Sequence, residues 1–185
     1  MTWSTGIGAG AYVDGRLITG KNGNAMHVGH TFISYGLDND PICGCGDRGH
    51  VESFAAGPAI ARDYGTTTID AFNKYRDGDK KAKNVIERAA KTFARGLVNM
   101  TAILDTKLII LGGGVCKSWD VLEELVKTEF YGSFTSLTKG VKFKLSELQE
   151  YIGDLAALSL IMPEEWIEHW NEKKIWEKTP KTVKL

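Results

Sequence analysis

Excess charge of either sign, long apolar runs and abundant cysteine are all missing from this sequence. Its 23 basic and 23 acidic side chains cancel, and neither sign forms a long block before the mixed tail after Pro163, which argues against nucleic acid as the main partner. No stretch approaches the ~18 apolar residues of a membrane-spanning helix, and no charged leader precedes an apolar segment near Met1; the expectation is no membrane partner and a cytoplasmic location. There are only three cysteines. Cys43 and Cys45 are too close for an easy disulfide, which fits a reducing compartment and metal ligation, and Cys116 is expected as a buried thiol. A chain of 185 residues is long enough for one domain with a sizeable core.

The stretch from His30 to Glu52 is the chemical centre. His30, Cys43, Cys45 and His50 supply two imidazoles and two thiolates on a loop thick with Gly36, Gly44, Gly46 and Gly49. The loop has no sustained apolar periodicity to fold around, and such a ligand set suits tetrahedral zinc, structural because no open coordination position is implied. The plainer alternative is two reduced thiols and two satisfied histidines; the convergence of all four on one loop favours the metal. Glu52 stands two residues after His50, at the start of the apolar run Val51 to Tyr64. It is thereby held beside the loop at the mouth of a helix, a placement that suits a ligand-binding carboxylate.

Around this loop the chain reads as α/β. Asp14-Gly15 is a two-residue hairpin signal between Ala11-Tyr12-Val13 and Leu17-Ile18. Ahead of it, Thr5-Gly6-Ile7-Gly8-Ala9-Gly10 has glycine spacing that lets backbone amides approach a phosphate, with Ser4 and Thr5 adding hydroxyls; an ordinary glycine-rich turn has the same spacing. Strand residues begin almost at Met1, so an element preceding the hairpin is expected to be missing. The loop Gly20 to Gly29 suits a substrate-facing connection or a plain solvent loop.

Val51, Phe54, Ala55, Ala59, Ile60 and Tyr64 predict a helix ended by Gly65, and Thr68 can cap a short helix through Arg76. Asp79 can cap the longest helix, with Ala82, Val85, Ile86, Ala89, Phe93, Leu97, Met100 and Leu104 on its buried face. Lys107 to Leu111 predicts a short buried strand, followed by Gly112-Gly113-Gly114 and a helix from about Ser118 to Phe130. Such a turn can lay a nucleotide against bare backbone, or its glycines can simply serve close packing. A strand over Val141 to Leu145 and a helix from Asp154 to Met162 complete a mixed sheet flanked by helices. Pro163 opens a last helix in which Trp166, Ile167 and Trp170 share a face, with Trp176 beyond, covering the core or a partner.

With these motifs assembled, the chain resembles the ROK family of repressors, open reading frames and sugar kinases. S-T-G-I-G-A-G-A-Y-V-D-G-R-L is similar to the family's second phosphate-binding hairpin. G-N-A-M-H-V-G-H followed by C-G-C-G-D-R-G-H-V-E is similar to its sugar and zinc signature, and L-D-T-K-L-I-I-L-G-G-G-V to the strand and glycine turn near the adenosine. The likeness runs from roughly Ser4 to Leu160 in the family's order. It implies the C-terminal lobe of a glucokinase-like, actin-like ATPase of ribonuclease H-like fold over residues 1–162, with 163–185 as a helix and tail that contacts a partner lobe. It further implies zinc on His30, Cys43, Cys45 and His50, the last standing where the family usually has a third cysteine. The sugar would be gripped by Glu52 and His30, with His27 in place of a usual glutamate. Terminal phosphates would lie on Thr5, Gly6 and Gly8, and the adenosine near Gly112, Gly113 and Gly114.

Two departures shape the expected function. The stretch between His30 and Cys43 is a few residues longer than the family's, and the N-terminal lobe, with its D-x-G-G-T phosphate loop and general-base aspartate, has no counterpart. The first expectation is therefore the C-terminal half of an ATP-dependent hexose or N-acetylhexosamine kinase that uses Mg-ATP, contains no catalytic residue of its own and is inactive alone. It would work as a homo-oligomer or with a separate chain carrying the N-terminal lobe. The alternative is a non-catalytic, zinc-stabilised sugar-binding or interaction module, and a third outcome is a decayed gene product. A sugar-responsive repressor is disfavoured, because no helix-turn-helix precedes the lobe.

Overall fold

The computed structural model describes residues 1–148, 151–159 and 161. Two antiparallel hairpins open the chain, β1 (Thr2–Trp3) with β2 (Ile7–Gly8) and β3 (Tyr12–Val13) with β4 (Arg16–Leu17). The second is the one Asp14-Gly15 predicts: both residues take positive φ, 51° and 74°, as a turn matched to the twist of its strands requires. The first is new, since its glycine-rich turn joins two strands. After a long loop come α1 (Val51–Ala55), α2 (Gly57–Tyr64), α3 (Thr68–Arg76) and α4 (Lys80–Leu104). Then follow β5 (Leu108–Leu111), a 3-10 turn over Gly114–Ser118, α5 (Trp119–Gly132), α6 (Thr135–Thr138) and β6 (Lys142–Leu145). These form one compact unit, Met1–Leu145; a second begins at Ser146 and contains α7 (Ile152–Ser159). The helix expected after Pro163 lies outside the described residues.

The strands assemble through β1. β5 and β6 pair in parallel, Leu108 opposite Lys142. The Met1 ammonium donates to the Ile110 carbonyl at 2.7 Å, the Gly112 N–H donates to Met1 O at 3.0 Å and the Trp3 N–H to Gly112 O at 2.8 Å. Across β2, β1, β5 and β6 the order is thus antiparallel, parallel, parallel, which is the mixed arrangement expected. The strand expected to be buried is only half so: Ile109 and Leu111 are buried, whereas Leu108 and Ile110 are 43% and 48% exposed. β6 pairs along one edge of β5, while side chains alternate between the two faces of a strand; among the described residues the face holding Leu108 and Ile110 is only partly covered.

The core is built on α4, whose buried side includes Ala82, Val85, Ile86, Ala89, Phe93, Leu97 and Met100. Asp79 caps it as predicted, accepting from the Ala82 N–H at 2.7 Å. The cap of α3 is Thr67 rather than Thr68: Thr67 accepts from the Asp70 N–H, while the Thr68 hydroxyl donates to the Gly57 carbonyl at 2.7 Å. The helix read as one run from Val51 to Tyr64 is broken at Ala56, which is extended (ψ 159°). Pro58 has no N–H to continue α1, and the Gly57 N–H goes instead to Ser4 O at 2.8 Å. The break therefore docks the first hairpin turn onto the helices.

Trp3 locks this junction. Its ring is fully buried and stacks on Phe93 at a centroid separation of 3.8 Å, and its indole N–H donates to Ala55 O at 2.6 Å. Replacing Trp3 by Phe keeps a ring but orphans that carbonyl. We expect a loss of about 1–3 kcal/mol, measured as a lower urea midpoint.

Cys116 is buried as expected, with its thiol donating to Gly112 O at 3.3 Å. Burial pushes its pKa from 9.0 up to about 11. The unfolded chain therefore releases this proton first, so stability is retained below about pH 9 and lost as pH climbs toward 11. The thermal midpoint should fall across that window, and Cys116→Ala should flatten that part of the fall.

Candidate functional site

The loop from Thr31 to His50 is ordered by its own hydrogen bonds. The Ile33 N–H donates to Gly49 O at 2.8 Å and the Val51 N–H to Thr31 O at 3.0 Å, so the loop's two ends run side by side into α1. A tight turn follows Cys43, with the Cys43 N–H on Asp47 O at 2.7 Å and the Gly46 N–H on Cys43 O at 2.9 Å. It presents the Cys43 and Cys45 sulfurs to one side. His30 ends a 3-10 turn, Val28–His30, and His50 immediately precedes α1.

These elements bring the four predicted ligand residues together. His30 Nδ1 lies 3.5 Å from Cys43 Sγ, and Cys45 Sγ lies 3.3 Å from His50 Nδ1. One ligand atom from each residue falls within 4.8 Å of all the others. Tetrahedral zinc with bonds of about 2.0–2.3 Å needs ligand atoms roughly 3.3–3.8 Å apart, so the donor set fits in both chemistry and spacing. Cys43 and His50 are buried, His30 half-buried and Cys45 exposed. Burial pushes the Cys43 thiol above its ordinary pKa against an opposing hydrogen bond from the Cys45 backbone; a bound cation would counter this by favouring thiolate.

Glu52 joins this cluster to the first hairpin. Its Oε2 accepts the Ile7 N–H at 2.8 Å, and its Oε1 lies 4.0 Å from Cys43 Sγ. Gly6 is bare where it meets this carboxylate, for a Cβ there would sit 2.8 Å from Oε2. Gly29 closes the other side: a Cβ on it would lie 2.3 Å from Ile7 O. His27 is exposed beside the cluster, its ring 5.8 Å from that of His30.

The predicted nucleotide residues divide. Thr5 is exposed at the tip of the hairpin turn and Gly8 lies in β2. Gly112 spends both backbone groups on β1, and Gly113, at φ 102°, lies so near Trp3 that a Cβ would come within 2.5 Å of its carbonyl. Close packing accounts for these two glycines. Gly114 is exposed, with Ser4 Oγ 3.5 Å from where its Cβ would be, so the two glycine turns adjoin. Ile7, Gly29 and Gly57 had no chemical signal in the sequence; each serves through backbone or close approach.

If the cluster holds zinc, adding the ion to metal-free protein should raise the thermal midpoint, with about 3 kcal/mol of stabilisation at a hundredfold excess over Kd. A chelator should reverse the shift, and Cys45→Ala should abolish it without lowering the midpoint of the metal-free chain.

The ROK family model matches residues 1–161. N-acetylmannosamine kinase from Vibrio cholerae serotype O1 is 33% identical over 165 residues, covering 80% of this chain and 56% of that protein. The enzyme of the same name from Salmonella typhi is 36% identical over 130 residues, covering 68% and 44%. Among solved structures, the ROK hexokinase from Thermus thermophilus superposes with a TM-score of 0.70 at 30% identity over 84% of this chain and 55% of that one. A ROK family glucokinase from Streptomyces griseus, in complex with glucose and AMPPNP, gives 0.71 at 22% identity over 86% and 58%, a likeness of fold. The chain thus spans about half the length of these relatives. With a family match over 161 of its 185 residues, the chain belongs to the ROK family.

Proposed function

We propose that this chain is the C-terminal half of an ATP-dependent hexose or N-acetylhexosamine kinase, which acts with an N-terminal lobe supplied by another chain. The observation that carries the reading is the double engagement of Glu52, on the Ile7 N–H and beside Cys43. It puts one carboxylate between a glycine-rich hairpin and a metal-type cluster, where a sugar hydroxyl and a phosphate would have to meet. The kinase names of the relatives above support the same reaction class, and those of the N-acetylmannosamine kinases favour an acylated amino sugar.

In this reading Glu52 accepts a hydrogen bond from a sugar hydroxyl and His30 faces the ring, with its orientation fixed by the cluster. His27, at the rim, replaces an anionic acceptor with a donor or a neutral group and so alters sugar preference. Zinc on His30, Cys43, Cys45 and His50 would be structural, holding the loop that carries these residues. Thr5, Gly6 and Gly8 would face the terminal phosphates of Mg-ATP, and Gly114, with Gly112 and Gly113 behind it, the adenosine side. The sugar oxygen attacks the terminal phosphorus, the bond to the ADP oxygen breaks, and the hydroxyl proton passes to a base from the partner lobe. Positioning and charge stabilisation dominate such a transfer, so half the cleft is not enough. Among the described residues no helix is long and apolar enough to cross a membrane, and we place the reaction in the cytoplasm.

ADP formation from Mg-ATP should be absent with the chain alone, for glucose and N-acetylmannosamine alike. It should appear on mixing with the product of the adjacent upstream reading frame. Glu52→Gln can still accept from Ile7, so it should fold, yet lower kcat/KM roughly tenfold to a hundredfold for loss of a charged hydrogen bond. Turnover by the chain alone would contradict the proposal. His27 in the glutamate position favours a second reading, a sugar-binding module; calorimetric binding of sugar by the chain alone, with no activity on mixing, would establish it.

A further inference from the structure

Cys43 and Cys45 share one turn but not one environment. The turn is closed by the Gly46 N–H on Cys43 O at 2.9 Å and the Cys43 N–H on Asp47 O at 2.7 Å, and the bridge between Ile42 and Arg48 holds its base. Cys43 is 3% exposed, its sulfur facing His30 Nδ1 at 3.5 Å and Glu52 Oε1 at 4.0 Å. Cys45 is exposed, its sulfur 3.3 Å from His50 Nδ1. It stands between Gly44 and Gly46, at both of which an added Cβ would meet nothing within 4 Å. A small reagent in water therefore reaches the Cys45 sulfur and not that of Cys43.

The two sulfurs nonetheless lie within 4.8 Å of each other. Two peptide links folded into a turn keep their Cα atoms within the roughly 4.4–6.8 Å that a disulfide spans. Gly44 between them brings no Cβ to the ring that would close, and its backbone has the freedom so small a ring needs. The spacing that argues against a permanent disulfide thus suits a transient one, because strained and exposed disulfides are the readily reduced ones. Cys116 offers no such access, being buried with its thiol on Gly112 O.

We propose that Cys45 is a site of reversible oxidation by hydroperoxides, with Cys43 as the resolving thiol, so that the cysteine–histidine cluster is also a redox-responsive latch on the loop that carries His30. The proposal goes beyond the half-kinase reading and does not depend on it. The Cys45 thiolate attacks one peroxide oxygen: an S–O bond forms, the O–O bond breaks, and the leaving oxygen takes a proton to become water or an alcohol. The sulfur is oxidised by two electrons to a sulfenic acid as the peroxide is reduced. The Cys43 thiolate then attacks the Cys45 sulfur, the S–S bond forms, the S–O bond breaks, and hydroxide leaves with a second proton as water. In the metal-free chain both protons come from the thiols; for thiolates on an ion they come from solvent. The disulfide withdraws two of the four ligand residues at once, and two imidazoles alone do not make a structural zinc site. Glu52, beside Cys43, passes the change to the first hairpin through its bond to Ile7.

The test exposes the zinc-loaded, full-length chain to hydrogen peroxide, quenches with catalase, alkylates the unfolded product and maps it by mass spectrometry, while a zinc-binding dye reads the free ion. A Cys43–Cys45 disulfide within one chain should form, zinc should be released in step with it, and dithiothreitol should restore both thiols. Cys116 should oxidise at least about tenfold more slowly than Cys45. The mapping is repeated on the metal-free chain, so that failure to bind zinc is told apart from failure of the thiol pair. There Cys43→Ser should leave a Cys45 sulfenic acid that dimedone captures, and Cys45→Ser should leave Cys43 unlabelled, with the thermal midpoint showing that each variant is folded.

Oxidation of Cys43 ahead of Cys45 in the unmodified chain overturns the proposal, whatever the variants do. So does oxidation of Cys116 as fast as Cys45, a disulfide formed only between chains, or over-oxidation of Cys45 with no disulfide. A disulfide that forms while zinc stays bound overturns the latch.

Discussion

The hydrogen bond from the Ile7 N–H to Glu52 is the constraint on which the candidate site depends. It reaches across 45 residues of sequence and fixes the glycine-rich hairpin to the start of α1. The other carboxylate oxygen lies beside Cys43. A half-buried carboxylate held by a backbone donor is costly to displace, so the hairpin and the cysteine–histidine loop have one relative position. Gly6 and Gly29 permit this by leaving room where side chains would collide.

Behind that bond stands a scaffold that holds both partners of it. β1 sits between β2 and β5, Trp3 stacks on Phe93 of α4, and the extended residue Ala56 frees the Gly57 N–H for Ser4.

Much of this was legible in the residues because it depends on local chemistry. Asp79 announced the cap of α4, Asp14-Gly15 the second hairpin, and the period of apolar residues the buried face of α4. The cluster of His30, Cys43, Cys45 and His50 was legible because few other roles gather those side chains on one loop. What escaped was set by tertiary context. β1 and β2 are two residues each, too short for any alternation to show, and long-range bonds hold them, Met1 and Trp3 to residues 110–112 and Ile7 to Glu52. Thr67 took the cap from Thr68 because the Thr68 hydroxyl found the Gly57 carbonyl. A four-residue apolar strand looks the same in sequence whether one face is covered or bare, so the exposure of Leu108 and Ile110 had no signature. The glycines at 112 and 113 could not be assigned between ligand approach and packing until Trp3 was seen against them.

Coupling between the metal-type loop and the hairpin through Glu52 is the central claim, and exchange of the Ile7 amide measures it without a partner or a substrate. In the zinc-loaded chain that amide should exchange slowly, and removal of the ion by a chelator should speed it together with the amides of the loop around Cys43. Loop amides that quicken while Ile7 stays slow would contradict the claim, because the hairpin would then be held independently of the cluster.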